Sequence, residues 1–173
     1  MQALQFWKLV TMDKADFIVE LTDLLRTEGI KYAVIGGQAV NAYAEPLVSL
    51  DLDLAVAVEH LEKVEALLRA RFKVQRFPHS LNISQVDSKL RVQVQTDPRY
   101  SEFVARAAPR DVLDLTLPVA DVRDVLQGKI WAAQDSERRP SKRQKDLADI
   151  ARLLEAYPEL RAMVPDDILS RLV

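Results

Sequence analysis

The sequence contains no cysteine, so a disulfide framework and a thiolate-bound zinc are both excluded, and a reducing compartment is merely permitted. Its two histidines, His60 and His79, have no carboxylate or second histidine at ligand spacing, and both are read as structural. No serine sits in a nucleophile-elbow pattern. Charge of one sign is also lacking. With 24 Lys and Arg against 26 Asp and Glu, the net charge of −2 carries no general footprint for nucleic acid, so any basic site has to be local. Long apolar runs are missing too. The longest uncharged stretch, residues 32–44, includes two glycines, a glutamine and an asparagine, and falls short of the ~18 residues a membrane span requires. Residues 1–14 lack the basic start and apolar core of a signal segment. The expectation is a soluble, untargeted, cytoplasmic chain without membrane contact.

What is present suits a globular protein. In 173 residues, 49% are hydrophobic and 29% charged, enough for one buried core without staples. We expect a single compact unit, with an α/β core over residues 1–120 and a helical extension over residues 121–173 packed on that core. No internal repeat or low-complexity tract interrupts it.

Periodicity supplies the elements. Asp13 can cap a helix whose stripe is Phe17, Ile18, Leu21, Leu24 and Leu25, and Gly29 stops it. Residues 30–35 read as a strand broken by Gly36-Gly37, and residues 38–44 as a helix ending before Pro46. Residues 50–58 alternate, with Leu50, Leu52, Leu54, Val56 and Val58 on one face and Asp51, Asp53, Ala55 and Ala57 on the other. Residues 59–71 carry a helical stripe of Leu61, Val64, Leu67 and Leu68. Strands over residues 81–86 and 89–95 are expected to form a hairpin through Asp87-Ser88. That arrangement leaves Arg91, Gln93 and Gln95 on a polar face. Residues 115–119 read as a further strand, residues 121–133 and 141–156 as helices, and Pro158 and Pro165 punctuate two short terminal ones.

Two features could carry chemistry. Asp51 and Asp53, two apart on a strand, stand on one face within reach of a shared cation, and Mg²⁺ is a hard ion held by one or two carboxylates plus substrate phosphates. Gly36-Gly37 lets backbone approach a phosphate, and the helix behind it offers free N–H groups and a positive dipole end. Taken singly, each feature is more often a turn or a solvated edge; joined at this spacing, they describe a triphosphate site.

With those residues, Lys129 in QGKIWAA and Lys145, Asp146 and Asp149 in RQKDLADIARLL, the chain resembles the nucleotidyltransferase superfamily typified by DNA polymerase β, and more closely its small prokaryotic branch related to abortive-infection type IV toxins. The resemblance covers roughly residues 30–154. It implies an α/β (α+β) nucleotidyltransferase fold, a mixed twisted sheet flanked by helices with a helical C-terminal part. It implies that Gly36 and Gly37 hold nucleotide phosphates, that Asp51 and Asp53 bind catalytic Mg²⁺, and that Lys129 and Lys145 support the nucleotide, with Asp146 and Asp149 orienting them. The implied activity is transfer of a nucleotide from an NTP to an acceptor hydroxyl or phosphate on RNA or protein; an antitoxin or toxin partner is also implied.

Two positions depart from the pattern. The third catalytic acid falls where this chain has Gln93, and an arginine expected about four residues before the first aspartate is Leu47. An amide cannot serve as a general base near neutral pH. The alternative is therefore a catalytically impaired binding or regulatory protein of a toxin–antitoxin system. Asp97, the nearest other acid, reads as a turn residue before Pro98. In RRPSKRQK, residues 138–145, Arg138 and Arg139 read as the solvated start of a helix, and Trp7 and Trp131 read as packing anchors.

Overall fold

The structure, a computed structural model, describes residues 15–86 and 88–172. The expected cap at Asp13 and the Trp7 anchor lie outside them. Helix α1, Ala15–Thr27, buries the apolar stripe read from the sequence, Phe17, Ile18, Leu21, Leu24 and Leu25. Gly29, at φ +67°, takes the left-handed conformation that ends it, and Ile30 N donates back to Leu25 O.

The chain then enters β1, Tyr32–Ile35, buried throughout and central in a seven-stranded sheet. It continues through α2 (Gly36–Tyr43), β2 (Asp51–Val56), a 3₁₀ turn at Val58–His60, α3 (Leu61–Arg69), β3 (Lys73–Phe77), β4 (Ser80–Ser84) and β5 (Arg91–Gln95). After a second 3₁₀ turn at Pro98–Tyr100 come α4 (Ser101–Arg106), β6 (Ala108–Val112), β7 (Leu115–Val119), α5 (Val122–Gln134), α6 (Pro140–Ala156), a 3₁₀ stretch at Pro158–Met163 and the short α7 (Asp166–Leu169). The strand order is β3-β4-β5-β2-β1-β7-β6. The sheet is mixed: β1 runs antiparallel to β2 and parallel to β7, and β2 runs parallel to β5.

Both edge strands escaped the sequence reading. β3 shows no apolar alternation and is largely exposed, and four of the five β6 residues are exposed, so neither carries the period-2 pattern of a half-buried strand. The expected tight turn at Asp87-Ser88 is replaced by a longer connection over residues 85–90, of which Asp87 lies outside the described residues. The cause is Leu90: it is buried in the core, and Arg91 N donates to Leu50 O, starting the parallel pairing with β2.

On one face of β2 and β5, Leu52, Leu54, Val92 and Val94 are all buried, in a core cluster that also holds Phe17, Ile83, Leu126 and Ile150. Each such Leu contributes about 1.5–3 kcal/mol by leaving water. The opposite face presents Asp51, Asp53, Arg91 and Gln93 side by side. Helices α2, α5 and α6 pack on one another beside it. No helix among the described residues is long and apolar enough to cross a membrane.

Candidate functional site

Asp51 and Asp53 share a face because Leu52 and Leu54 between and beyond them turn into the core. In the sheet register Asp53 lies between Ile35 on β1 and Gln93 on β5, and Asp51 lies opposite Arg91. Gln93 therefore stands beside the second aspartate, at the position where the sequence led us to look for a third acid.

The glycine pair is the first turn of α2 rather than a loop preceding the helix. Gly36 adopts φ +67°, and a Cβ placed there would collide with the Asp53 carboxylate and lie 3.0 Å from its Cβ and Cγ. Glycine is thus required twice, by backbone conformation and by the approach of Asp53. A Cβ at Gly37 would meet nothing within 4 Å, so this end of the helix is open. Ile35, the N-cap, supplies no side-chain hydrogen bond, which leaves the first N–H groups of α2 facing the cleft without a capping group.

Burial pushes the Asp53 carboxyl above its ordinary value of 3.8; Lys129 opposes this and Asp51 reinforces it. A cation at this point would relieve the penalty. Asp51 is more open. Arg91 Nε lies 2.8 Å from its Oδ1 and Lys142 Nζ 4.0 Å from its Oδ2, but the Arg91 side chain is 74% exposed, so that pair is a weak and displaceable one.

The KDLAD segment divides sharply. Asp146 and Asp149 point inward from α6 and are almost fully buried, whereas Lys145 is exposed. The buried acids are paired with Lys129 of α5, whose Nζ lies 3.1 Å from Asp146 Oδ1 and 2.8 Å from Asp149 Oδ2. Burial alone would lower the Lys129 ammonium, but Asp149 and Asp146 outweigh it and raise it, so Lys129 stays charged. Arg138 grips Asp146 through Nε and, at 3.1 Å, through its second guanidinium nitrogen. Arg138 is accordingly part of the site rather than a solvated helix start, while Arg139 is exposed.

Two cavities open from this cluster and share Asp53, Gln93, Lys129, Arg138 and Asp146. The smaller, about 320 Å³, also takes in Gly37, Ser49, Asp51, Arg91, Lys142 and Lys145; its charged lining is five bases against three acids. The larger, about 520 Å³, reverses this, with Asp97, Asp124 and Asp135 added to the shared acids and only Arg99 to the shared bases. The two arms meet at Asp53 and Gln93.

The larger arm also contains His79, which is exposed there rather than structural as the sequence suggests. Trp131 is a packing anchor as expected, stacked on Phe103 at 5.7 Å with the Arg99 guanidinium 4.6 Å from its ring centroid. Asp97 caps the turn at Pro98–Tyr100, accepting from Arg99 N at 3.0 Å. Burial would raise its carboxyl, but the hydrogen bonds and charge of Arg99 hold it below the ordinary carboxylate range, which makes it a poor base. Leu47, where an arginine was expected, is 53% exposed, yet a guanidinium does reach its segment: Arg152 of α6 bonds to Asn41 and to Glu45 O.

Comparison with known proteins fits this geometry. The family described as "Nucleotidyl transferase AbiEii toxin, Type IV TA system" matches residues 27–172. The chain belongs to this family. No curated protein matches it. Among solved structures, ANT(2")-Ia in complex with adenylyl-2"-tobramycin superposes at a TM-score of 0.65, with 12% identity over 93% of this chain and 99% of that one. The lincosamide antibiotic adenylyltransferase LnuA, lincomycin-bound, gives 0.54, with 12% identity over 79% of this chain and 95% of that one. An antigenic nucleotidyltransferase-like protein from Paracoccidioides brasiliensis gives 0.52, with 17% identity over 96% and 84% respectively. These likenesses establish the nucleotidyltransferase fold for this AbiEii-family chain.

Proposed function

We propose that the two-armed cleft binds an NTP with Mg²⁺ and transfers its nucleotide to an acceptor hydroxyl or phosphate. The observation that carries this is the convergence on one point of the β2 carboxylates, the open first turn of α2 and a lysine-rich wall from α6. The donor set suits the ion. No cluster of three or more His, Cys, Asp or Glu side chains occurs among the described residues, and Mg²⁺ characteristically takes one or two carboxylates and fills its shell with water and phosphate oxygens. When bound, Mg²⁺ would neutralise phosphate charge and favour in-line displacement.

The chain's own residues divide the remaining work. Asp51 and Asp53 hold the ion. Gly36 and Gly37 bring backbone N–H groups and the helix dipole to the phosphates. Lys142 and Lys145 face the same arm and balance the triphosphate, and Lys129, fixed by Asp146 and Asp149, anchors the wall. The larger arm, ending at Gln93, is where the acceptor enters. The acceptor oxygen bonds to the α-phosphorus, the bond to pyrophosphate breaks, and the hydroxyl proton passes to water, because the Gln93 amide can orient that hydroxyl but cannot take its proton.

Gln93 favours a second reading, a binding or regulatory member of a toxin–antitoxin pair that has lost transfer. Incubation of the pure protein with each α-labelled NTP and total cellular RNA and protein separates the two. Transfer is expected to be slow, to vanish in the Asp51→Asn, Asp53→Asn variant, and to rise by about 10²-fold or more in Gln93→Asp, the typical contribution of a positioned base. Nucleotide binding without transfer in either the wild type or Gln93→Asp would favour the regulatory reading.

A further inference from the structure

We infer that Arg152 is a positioning residue for the Asp51 carboxylate: with Asn41 and Gln38 it fixes residues 44–50, the segment from which β2 departs, and so ties helix α6 to the metal-binding strand. This rests on the NTP-binding reading above.

Residues 44–50 form no regular element, contain Pro46, and leave Leu47 and Val48 exposed. Their position depends on side-chain hydrogen bonds. Asn41 of α2 mimics a backbone pair: its Nδ2 donates to Leu47 O at 2.7 Å and its Oδ1 accepts from Leu47 N at 3.0 Å. Gln38, fully buried, donates to Ser49 O at 3.1 Å, and Asp51 N donates to Ser49 Oγ at 3.2 Å. Arg152 completes the clamp, donating to Asn41 Oδ1 at 2.9 Å and to Glu45 O, while its other terminal nitrogen bonds Asp149 Oδ1 at 2.8 Å.

Asp149 is the hinge of this arrangement. Its Oδ1 faces Arg152 and its Oδ2 faces Lys129, which lines both arms of the cleft. Asn41 Nδ2 also donates to Gln38 Oε1 at 3.3 Å, so a line of polar contacts runs from Lys129 on one wall, through Asp149, Arg152, Asn41, Gln38 and Ser49, to the amide of Asp51 on the other. The Arg152 side chain is 14% exposed, and its bonds to Asp149 and Asn41 are part-buried and charge-assisted rather than surface pairs. A nucleotide spanning Lys129 and Asp51 needs both walls at a fixed separation, and misplacing a ligand by about 1 Å is enough to weaken such a site severely. Lysine cannot replace Arg152 fully, because one ammonium cannot serve Asp149, Asn41 and Glu45 in the same planar geometry.

The test is calorimetry of non-hydrolysable NTP analogues with Mg²⁺, at a temperature well below the Tm of every variant, on the full chain and its Asn41→Ala, Arg152→Ala and Arg152→Lys variants. Asn41→Ala removes the clamp without leaving a buried charge, which keeps the test valid even where Arg152→Ala folds poorly. Asn41→Ala and Arg152→Ala are expected to weaken Mg²⁺-dependent binding about 10-fold, with Arg152→Lys recovering part of it. A purely structural role would lower Tm and leave the dissociation constant of the folded variants unchanged; that result overturns the inference. Absence of binding by the wild-type chain would instead overturn the reading on which it rests.

Discussion

Replacing both β2 carboxylates, Asp51→Asn with Asp53→Asn, is expected to abolish Mg²⁺-dependent NTP binding and to raise the stability of the metal-free protein. The two effects have one origin. Asp53 is an anion placed by its register between Ile35 and Gln93 and pressed by Gly36, with too little positive charge nearby to offset its burial. Its folded-state pKa is raised above the ordinary 3.8, so the fold favours the protonated acid. The stability it contributes is complete below that ordinary value and is lost as pH rises through the folded pKa. At neutral pH the charged carboxylate is a cost, which an amide of the same shape removes. The gain appears as a higher Tm of the metal-free double variant. The gain should be present at pH 7 and shrink as pH falls toward 4. Thermal melts across that range with EDTA, and calorimetry with Mg²⁺ and an NTP analogue, measure the two halves. A double variant that binds Mg²⁺ and NTP as the wild type does would remove Asp51 and Asp53 from the site.

Lys129→Met is expected to have the largest effect on the fold itself. Lys129 is 7% exposed and is shared by two acids that are more deeply buried still, so its removal leaves Asp146 and Asp149 in a low-dielectric interior short of one cation. Removing one partner of a buried pair costs about 3–5 kcal/mol, and the lower end applies because Arg138 still holds Asp146 and Arg152 still holds Asp149. At that lower end the Tm falls by roughly 6–12 °C. The raised pKa of Lys129 makes its contribution complete below the ordinary 10.5 and lost above the folded value. The gap between wild type and variant therefore holds through neutral pH and narrows only under strongly alkaline conditions. Denaturant titrations at pH 7 and above 10.5 check both the size and the direction. A loss under 1 kcal/mol at pH 7 would mean that the two arginines suffice without it.

The central half of the sheet was legible because its physics is local. Strands β1, β2 and β5 are buried on one or both faces, and their alternation places Asp51, Asp53 and Gln93 without any tertiary information. Gly36 and Gly37 were legible for a similar reason, since a glycine pair between a strand and a helix has few roles. Strands β3 and β6 were not, because an exposed edge strand is held by its neighbour's backbone and needs no apolar pattern of its own.

The helical wall was legible only in part. Lys129, Asp146 and Asp149 stand out in the sequence as candidates, but whether Lys129 or Lys145 pairs with the acids depends on how α5 packs against α6. No spacing within either helix encodes that. Lys145 stays exposed on the open side of the smaller arm, whereas Lys129 is buried against the acids. Arg138 belongs to a basic tract, which in sequence reads as solvated; its partner Asp146 lies eight residues on, across the start of α6. The Arg152–Asn41 contact joins residues 111 apart, beyond the reach of any local rule. Lys142 is likewise brought to Asp51 only by the fold.

A structure of the protein with Mg²⁺ and a non-hydrolysable NTP tests the central claim most directly. The expected result is one metal ion on Asp51 and Asp53, with the triphosphate lying between the first turn of α2 and Lys142 and Lys145, and the Gln93 amide on the acceptor side of the α-phosphate. A nucleotide bound without a metal on those two aspartates, or with its phosphates outside the lysine-lined arm, would contradict it.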